Sequence, residues 1–413
     1  MNDILNAREE RVRLIESKLD KYNIVTLKVN MFGDKKNNNL AKTILGYYIN
    51  LLEHDTFFSG IESEYISSLD GDYVIYYFDK KIKNLKNKMM KIESSAFGRL
   101  IDLDVYIDSS QSIRRTNLRK CVICDSDAFS CIRSKKHTFD ELYQKYLNIT
   151  YPYIKKMFSK TIFDSMDMEL KLSPKFGSVT KIDSGSHKDL NYDIMYSCAK
   201  MLNPYFISMF KVGFFEENKE DIFSKINKIG RCAEDEMFKV YKTNCYKGLI
   251  FCLGILVCAF GRYLSSLDNI SIHDAISDTI YSYKINEIAT FGFKEYMNGF
   301  LGIRGEVKSS YKTIRKIYKK VDIHDQNKLF LTFLSIVKEI DDTVLLKRAG
   351  SFNKYLEYKK KISSAYMLNN EELNKLNTEC IKENISLGGS CDILVCTIFV
   401  KMLEEELKLK ELF

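Results

Sequence analysis

The sequence predicts two domains, an α/β (α+β) domain over residues 1–150 followed by a larger all-α domain over residues 151–413. Two patterns indicate this fold class. Strand patterns alternate with helical ones up to Asp108, whereas helical periodicity continues almost without interruption from about Asp140 onward. A chain of 413 residues also suits two to three domains of about 150 residues each.

The N-terminal elements follow from the spacing of apolar residues. Helical spacing predicts one helix over Asp3–Leu19 and another over Leu40–Glu53. Apolar runs predict strands at Ile24–Met31 and Tyr73–Phe78. A further strand, Ile101–Asp108, alternates strictly between apolar and mainly acidic residues, so we expect it to bury one face and present carboxylates on the other.

The composition is that of an ordinary globular protein, with 45% hydrophobic and 29% charged residues, which excludes a disordered or collagen-like chain. The uncharged apolar run Gly248–Gly261 is too short to cross a bilayer core of about 30 Å, so we expect a buried helix there. The N-terminus has no apolar signal-peptide segment, which predicts a cytoplasmic protein that contacts no membrane. The net charge of +8 suits polyphosphate ligands, and the eleven cysteines favour reduced thiols or a metal site over disulfides.

Two carboxylates, Asp102 and Asp104, lie two residues apart on the last predicted strand, so they share one face with Cα atoms about 7 Å apart. This arrangement suits Mg²⁺, which prefers oxygen ligands and keeps coordination positions for phosphate oxygens. Arg99, just before the strand, is a candidate for neutralising a departing pyrophosphate. The alternative is an acidic strand that only faces solvent.

A cysteine and histidine cluster, Cys121-x2-Cys124-x6-Cys131-x5-His137, lies in a loop-like stretch. These are the ligand types of structural zinc sites, although the middle spacing is shorter than in common zinc fingers. Four protein ligands would leave no open coordination position, so a bound Zn²⁺ ion would be structural. The alternative is a set of buried thiols with a surface histidine.

A first family resemblance rests on the residues from Phe97 to Val105, on the cysteine and histidine cluster, and on Ala7-Arg8-Glu9-Glu10-Arg11 near the N-terminus. Together they resemble the apo-citrate lyase phosphoribosyl-dephospho-CoA transferase family over about residues 3–145. The resemblance implies a nucleotidyltransferase-like domain. Such a domain joins a prosthetic group to a serine of the citrate lyase acyl carrier protein (the gamma subunit) and releases pyrophosphate.

Polar clusters interrupt the helices of the second half, and most of them place Gly or Ser at a helix start beside a charged residue. Helix N-termini expose unpaired N–H groups that bind phosphate, so several converging termini could hold a triphosphate. Singly, each cluster could be only a loop or a cap; Ser390, for instance, is a candidate N-cap of a helix over Ile393–Leu407, and His187 could be a surface histidine. The clusters are SPKFG from Ser173, DSGSHKD from Asp183, NCYKG from Asn244, GIRGE from Gly302, DDT from Asp341, and GGSCD from Gly388.

The same clusters, from about Leu172 to Val400, resemble the triphosphoribosyl-dephospho-CoA synthase family, with ECIKENISLGGSCDIL from Glu379 as the most specific phrase. The resemblance implies a helical enzyme that uses ATP as ribosyl donor, expels adenine and attaches the triphosphoribosyl group to the 2′-hydroxyl of 3′-dephospho-CoA. Its product is the substrate of the first domain, so we expect one chain to catalyse two consecutive steps.

Residue roles in the second domain follow as hypotheses. His187 is the candidate acceptor of the hydroxyl proton. Asp189, Glu306 or Asp342 would hold Mg²⁺ or support the ribosyl cation. The residues expected to bind ATP are Lys175, Lys188, Asn244, Lys247, Arg304, Arg348 and Ser390.

The chain departs from the family's usual pattern at some of these positions. Tyr246 stands where the family has His, which replaces a group that titrates near neutral pH by a phenol of pKa about 10. The consequence depends on whether that histidine carries a proton or only binds phosphate. The other departures are Phe176 for Pro, Cys245 for Thr, Val344 for Asn, Ala349 for Gly, and changes at Val307, Lys308 and Ser310 to Lys312.

Two other functions remain open from the sequence. The chain could mature malonate decarboxylase, whose similar prosthetic group is carried by a different protein, or it could be a regulatory protein that binds nucleotide or dephospho-CoA without catalysis. Small-molecule substrates and the carrier protein are the expected partners. Nucleic acid is not, since no recognition motif with interleaved aromatic residues is present.

Overall fold

The structure is a computed structural model that describes residues 2–34, 36–115, 118–284, 291–409 and 412–413. It divides into two compact units. Unit 1 comprises Met1–Ile154, Tyr263–Ile270 and Glu406–Lys410. Unit 2 comprises Lys155–Arg262, Ser271–Glu405 and Glu411–Phe413.

Unit 1 contains a four-stranded antiparallel sheet of order β2-β3-β1-β4. Its strands are β1 (Tyr22–Val29), β2 (Glu62–Ile66), β3 (Tyr73–Asp79) and β4 (Ile101–Tyr106). Three helices precede or connect these strands, namely α1 (Asn2–Leu19), α2 (Asn39–Glu53) and α3 (Leu85–Glu93), and α4 (Ala128–Arg133) follows β4. The predicted mixture of helices and strands is confirmed, whereas the nucleotidyltransferase-like character stays a prediction.

Two strands differ from the predicted ones. The sequence did not predict β2, because four of its five residues are exposed and it carries no apolar alternation. Strand β4 ends at Tyr106, so Asp108 lies beyond the sheet. The alternation before that point is as predicted, with Ile101, Leu103 and Val105 fully buried.

Helix α1 packs on one face of the sheet. Ile15 and Leu19 join an apolar cluster with Ile24, Tyr77 and Tyr106 at the end of the sheet where β1 begins. The charged first half of α1 then lies towards the other end, where Arg11 stands over the Tyr73 ring at 5.6 Å. Helix and strand thus run in opposite directions, which places arginines of α1 near the end of β1.

The rest of the described chain is helical and contains no strand after Asp140. The mostly helical second part is therefore confirmed. Its helices are α5 (Phe139–Lys171), α6 (Tyr192–Phe215), α7 (Lys219–Tyr241), α8 (Lys247–Ser265), α9 (Ile272–Thr279), α10 (Phe291–Met297), α11 (Gly302–Lys308), α12 (Lys312–Ile317), α13 (Gln326–Glu339), α14 (Thr343–Ala349), α15 (Phe352–Ser363), α16 (Asn370–Lys382) and α17 (Gly388–Glu406).

Helix α8 is the predicted buried helix. Among the described residues it alone is long and apolar enough to cross a membrane by length and composition, yet 78% of its apolar window is buried inside the protein. Two glycines let α8 approach α6 closely, because a Cβ at Gly213 or Gly261 would overlap backbone atoms of the other helix. Burial of this kind is typical of a core helix.

Candidate active sites

The carboxylate pair of β4 lies on the sheet face that α1 covers in part. Asp102 is directly opposite Lys28 of β1, and Asp104 is opposite Thr26. Paired residues of antiparallel strands point to the same side, so the two carboxylates and the Lys28 ammonium share one surface. The side chains of Asp102 and Asp104 are each 40% exposed, which leaves them accessible to a ligand.

The two carboxylates differ in their partners. Asp102 forms an ion pair with Arg119 at 2.7 Å and is 3.8 Å from Arg115. Among the residues that the structure describes, Asp104 forms one ion pair, with Lys86 at 4.0 Å. Burial raises the pKa of Asp104, and the negative charge of Asp102 raises it further. The negative charge of Asp104 is therefore less well compensated than that of Asp102, and a divalent cation would compensate it.

A third carboxylate, Glu93 at the end of α3, contacts strand β4 and the two arginines that pair with Asp102. It is buried, accepts a hydrogen bond from the Leu103 amide at 2.8 Å, and pairs with Arg119 at 3.1 Å and with Arg115. Burial raises its pKa, against the effect of the Leu103 amide. Sequence reasoning missed Glu93, because only the fold brings it beside β4.

Arg99 contacts the loop that carries the cysteine cluster. Its guanidinium group donates to the backbone oxygens of Lys120 (3.3 Å) and Cys121, and it pairs with Asp125 at 3.1 Å. Arg99 thus holds this loop. Its predicted contact with a departing pyrophosphate stays a prediction.

The four predicted zinc ligands come together in that loop. Their ligand atoms all lie within 4.8 Å of one another. Cys124 Sγ is 3.4 Å from Cys131 Sγ and 3.2 Å from His137 Nε2, and Cys131 Sγ is 3.9 Å from the same nitrogen. Tetrahedral zinc with its usual bond lengths separates such ligands by about 3.5–3.8 Å. Hydrogen bonding with Ser126, and then with His137, lowers the pKa of the Cys124 thiol to about 5.

Unit 2 contains a cavity of about 980 Å³. It is lined by the end of α5, the loop before α6, α7, the starts of α8 and α17, and by α11 and α14. These segments are far apart in sequence, and most of the predicted polar clusters meet here. The predicted site residues that line the cavity are Lys175, His187, Asp189, Asn244, Lys247, Arg304 and Arg348.

His187 is held between two partners. Arg348 donates to Nδ1 at 3.1 Å, so Nδ1 carries no proton, and Nε2 donates to Ser386 Oγ at 3.1 Å. Arg348 is fixed in turn by Ser186 O at 3.1 Å and Asn384 Oδ1 at 2.6 Å. Burial and the neighbouring Arg348 lower the pKa of His187 to about 4. The imidazole is therefore neutral near pH 7.

Two ion pairs and a partly buried carboxylate complete the cavity wall. Lys175 pairs with Glu169 at 2.5 Å, and both side chains are almost fully buried. Lys247 pairs with Glu234 at 2.7 Å and is half exposed. Burial raises the pKa of Asp392 well above its ordinary value, with contributions from neighbouring carboxylates. The cavity wall thus combines cationic side chains with carboxylates.

Known families match both parts of the chain. A family model described as ATP:dephospho-CoA triphosphoribosyl transferase matches residues 158–411. The chain belongs to this family. Residues 1–152 match a second family model, described as apo-citrate lyase phosphoribosyl-dephospho-CoA transferase. Both resemblances drawn from the residues are confirmed, and the chain joins the two kinds of domain.

Several curated proteins are similar along most of their length. "Protein CitXG" of Haemophilus influenzae is 27% identical and covers 96% of this chain and 94% of its own. "Protein CitXG" of Leuconostoc mesenteroides subsp. cremoris is 26% identical over 92% of this chain and 91% of its own. A 2-(5''-triphosphoribosyl)-3'-dephosphocoenzyme-A synthase of Haemophilus ducreyi is 27% identical over 67% of this chain and 98% of its own.

The main departures of this triphosphoribosyl transferase from its family pattern lie in or beside the cavity. Tyr246 lines it, but its hydroxyl is buried and has no hydrogen-bond partner among the described residues. Cys245 and Val344 also line it. Phe176 adopts a φ of 45°, which the proline ring cannot reach, so the backbone here differs from one that carries proline.

Asp342 and Ser390 form a structural contact outside the cavity lining. Asp342 accepts hydrogen bonds from the amides of Val344 and Leu345, which caps α14, and from the Gly389 amide. Its other oxygen accepts from the Ser390 amide at 2.7 Å and hydroxyl at 2.8 Å. Ser390 therefore lies inside the first turn of α17 and is not its N-cap. The Asp342 carboxylate has no lone pair left for a metal ion.

Glu306 and Lys188 also lie outside the cavity lining. Glu306 is buried and accepts two hydrogen bonds from Thr313, at 3.1 Å from the amide and 2.8 Å from the hydroxyl. Burial raises its pKa. It joins α11 to α12, whereas Lys188 is exposed to solvent. Their predicted roles at the substrate stay predictions.

One face of α7 was missed by the motif analysis. Asn227, Arg231 and Glu234 line the cavity and recur at helical spacing. The sequence shows the spacing of these residues, i, i+4 and i+7. The same spacing is typical of a polar helix face that only contacts solvent, so it does not indicate a site. Only the fold distinguishes the two.

Proposed function

We propose that the chain is a bifunctional transferase that makes the prosthetic group of citrate lyase and attaches it to the acyl carrier protein of the lyase. The observation that carries this proposal is the occurrence, in one chain, of domains for two consecutive reactions. Relatives named CitXG extend over nearly the whole length of the chain. The malonate decarboxylase alternative is not favoured, since the first domain's family is named for citrate lyase.

The first reaction is assigned to the cavity of unit 2. ATP and 3′-dephospho-CoA give 2′-(5″-triphosphoribosyl)-3′-dephospho-CoA and adenine. The 2′-hydroxyl oxygen of dephospho-CoA bonds to C1 of the ATP ribose, and the bond from this carbon to adenine breaks. Adenine leaves with the electron pair of that bond and takes up the proton that the hydroxyl loses.

Cations of the cavity are assigned to the triphosphate of ATP. Lys247, Arg304 and Arg348 reach it from three different helices. A magnesium ion would neutralise part of the triphosphate charge. Asp189 and Asp392 fit as its ligands, since Asp189 is exposed and accepts one recorded hydrogen bond from the described residues, from Thr243 at 3.3 Å. Asp342 does not fit as a magnesium ligand, because its oxygens already accept hydrogen bonds from α14 and α17.

We assign His187 as the base that accepts the proton of the attacking hydroxyl. Arg348 would regulate the basicity of His187. While Arg348 donates to Nδ1, the histidine has no free lone pair and its pKa is about 4. When Arg348 turns to a bound triphosphate, Nδ1 becomes free and the nearby positive charge is neutralised. Both changes make His187 a better base, so substrate binding would prepare the base.

The second reaction is assigned to the carboxylate face of unit 1, which would act as a nucleotidyltransferase site. A serine oxygen of the carrier protein bonds to the α-phosphorus of the triphosphoribosyl group. The bond from this phosphorus to the oxygen of the β-phosphate breaks, pyrophosphate leaves with its electron pair, and the serine proton passes to solvent. Asp102 and Asp104 would hold Mg²⁺, which neutralises the phosphates.

A structural zinc ion is assigned to Cys121, Cys124, Cys131 and His137. The four ligand atoms all lie within 4.8 Å of one another, which is close enough for one ion to reach all of them after small shifts. A zinc ion bound to this loop would also hold two arginines in place. Arg99 donates to the Cys121 carbonyl oxygen, and Arg119, two residues before Cys121, pairs with Asp102. Zinc would thus support the carboxylate face without touching substrate.

The proposed partners are small-molecule substrates and the citrate lyase carrier protein, in the cytoplasm. The test is to incubate the purified chain with ATP and dephospho-CoA, measure adenine by chromatography, and then add each apo-carrier for mass spectrometry. We expect adenine release and a mass gain on the citrate lyase carrier. No adenine from folded protein would mean a non-catalytic binding protein. Labelling of only the malonate decarboxylase carrier would reassign the pathway.

A further inference from the structure

A cluster of basic side chains surrounds one buried carboxylate in unit 1. Asp70, whose side chain is 2% exposed, pairs with Arg8 at 3.0 Å, with Arg11 at 3.1 Å and with Lys28. We call Arg8, Arg11 and Lys28 the basic triad. Among the described residues, Asp70 is the only carboxylate within ion-pair distance of the triad.

The triad carries more charge than its anchor neutralises. Burial opposes ionisation of Asp70, but the hydrogen bonds from Arg8 and Lys28 overcome it and lower the Asp70 pKa to about 2. Asp70 is therefore fully ionised, and it offsets one positive charge of three. Burial lowers the pKa of Lys28, and the nearby Arg11 lowers it further, against the effect of Asp70. An additional anion would relieve this repulsion.

The triad also lies beside the carboxylate pair. Lys28 and Asp102 are directly paired across β1 and β4, so their Cα atoms are about 5 Å apart. Arg8 and Arg11 reach the same end of the sheet from α1. Arg8 is half exposed, and Arg11 and Lys28 are each 21% exposed, so an anion can reach all three from solvent.

A purely structural role explains less of this arrangement. One arginine would be enough to tie α1 to Asp70, and two further cations at the same carboxylate add mutual repulsion and desolvation. The Nη2 group of Arg99 already donates to two carbonyl oxygens and to Asp125, so Arg99 is at least partly engaged by the loop of the cysteine cluster. The cations recorded at the carboxylate face itself, Lys86, Arg115 and Arg119, are already paired with its carboxylates.

We propose that the basic triad binds the β- and γ-phosphates of the triphosphoribosyl substrate and hence the departing pyrophosphate. This assignment rests on the proposed second reaction. The α-phosphate would lie at Asp102 and Asp104, and the remaining phosphates would extend over Lys28 towards α1. As the bond to the β-phosphate breaks, negative charge grows on the leaving group, where the three cations stabilise it most.

The test measures inhibition of carrier labelling by inorganic pyrophosphate in the full chain, with premade triphosphoribosyl-dephospho-CoA as substrate. Arg8→Ala and Lys28→Gln are each expected to weaken pyrophosphate inhibition about tenfold or more and to slow transfer, because each removes a charge-assisted contact. Arg8→Lys should restore part of the effect. Arg13→Ala is the matched control, since Arg13 lies on the same helix, is 76% exposed and pairs only with Glu9 among the described residues.

Adenine release by the same preparations reports on the other unit and on intact folding. It should be unchanged in all variants. If the wild-type chain labels the carrier but Arg8→Ala and Lys28→Gln are inhibited by pyrophosphate as strongly as Arg13→Ala, the triad assignment is wrong. If they merely lose thermal stability while inhibition is unchanged, the cluster is structural. If the wild-type chain labels no carrier, the proposed second reaction itself fails.

Discussion

Arg348 donates a hydrogen bond to Nδ1 of His187 at 3.1 Å. A cation beside an imidazole favours its neutral form, and together with burial this lowers the pKa of His187 to about 4. The residue expected to accept a proton is thus held with its lone pair occupied. Under the proposed function, this contact would connect triphosphate binding by Arg348 to proton transfer at His187.

The first prediction concerns this pair. Arg348→Ala should raise the pKa of His187 towards 6.5, which a histidine NMR titration measures directly. In the wild type, an unfolded chain binds a proton at His187 more readily than the folded one, so stability should fall as pH drops from 6.5 to about 4. His187→Asn should remove this part of the pH dependence. An unchanged titration in Arg348→Ala would contradict the coupling.

The second prediction concerns the carboxylate pair. Asp104→Asn should slow carrier labelling about 100-fold or more, because it removes a metal ligand, while adenine release stays as in the wild type. Asp108→Asn is the control, since Asp108 follows the same strand with an 86% exposed side chain. Equal labelling rates in the two variants, measured by mass spectrometry, would exclude a metal role for Asp104.

The third prediction concerns zinc. Elemental analysis should find about one zinc ion per chain, and Co²⁺ substitution should give thiolate-to-cobalt absorption bands. Cys124→Ser should lose the metal and slow carrier labelling, because the loop that holds Arg99 and Arg119 loosens. Cys232→Ser, at an exposed cysteine, should keep both. A wild-type chain without metal after purification in zinc would rule out the site.

The fourth prediction separates two aspartates of unit 2. Asp342→Asn should lower the free energy of unfolding by about 2 kcal/mol, because the amide cannot accept all the hydrogen bonds that cap α14 and join α17. Asp189→Asn should leave thermal unfolding unchanged and raise the Mg²⁺ concentration needed for adenine release. The opposite pattern would return the metal-ligand role to Asp342.

The fifth prediction concerns Tyr246, the departure from the family's histidine. Its buried hydroxyl has no hydrogen-bond partner among the described residues, so Tyr246→Phe should be neutral or stabilise the protein by up to about 1 kcal/mol and retain adenine release. Tyr281→Phe, at an exposed tyrosine, controls for loss of a hydroxyl. A large fall in adenine release in Tyr246→Phe alone would give this phenol a part in the reaction.

Local patterns predicted the parts of the two sites that are close in sequence. The alternation along β4 placed Asp102 and Asp104 on one face, and the spacing of the cysteine cluster brought its four side chains together. Motifs named seven polar or charged residues that line the cavity. In each case neighbours along the chain, or the regular period of a strand, determine the geometry.

Contacts between distant segments were not predictable in the same way. Glu93 reaches β4 only because α3 packs there, and Asp70 gathers arginines of α1 with Lys28. We expected Asp342 to bind a metal ion. Its carboxylate instead accepts hydrogen bonds from Ser390, and no local sequence pattern indicates this contact. The role of such residues depends on tertiary packing, and the spacing of residues in a single sequence does not indicate it.

The Asp342 carboxylate also has a mechanical consequence, because it fastens the first turn of α14 to the first turn of α17. Arg348 on one helix and Gly389 on the other therefore line the cavity on two segments that share this anchor. Substitutions at these two positions should then be non-additive, and neither can be interpreted as an independent contact with the triphosphate.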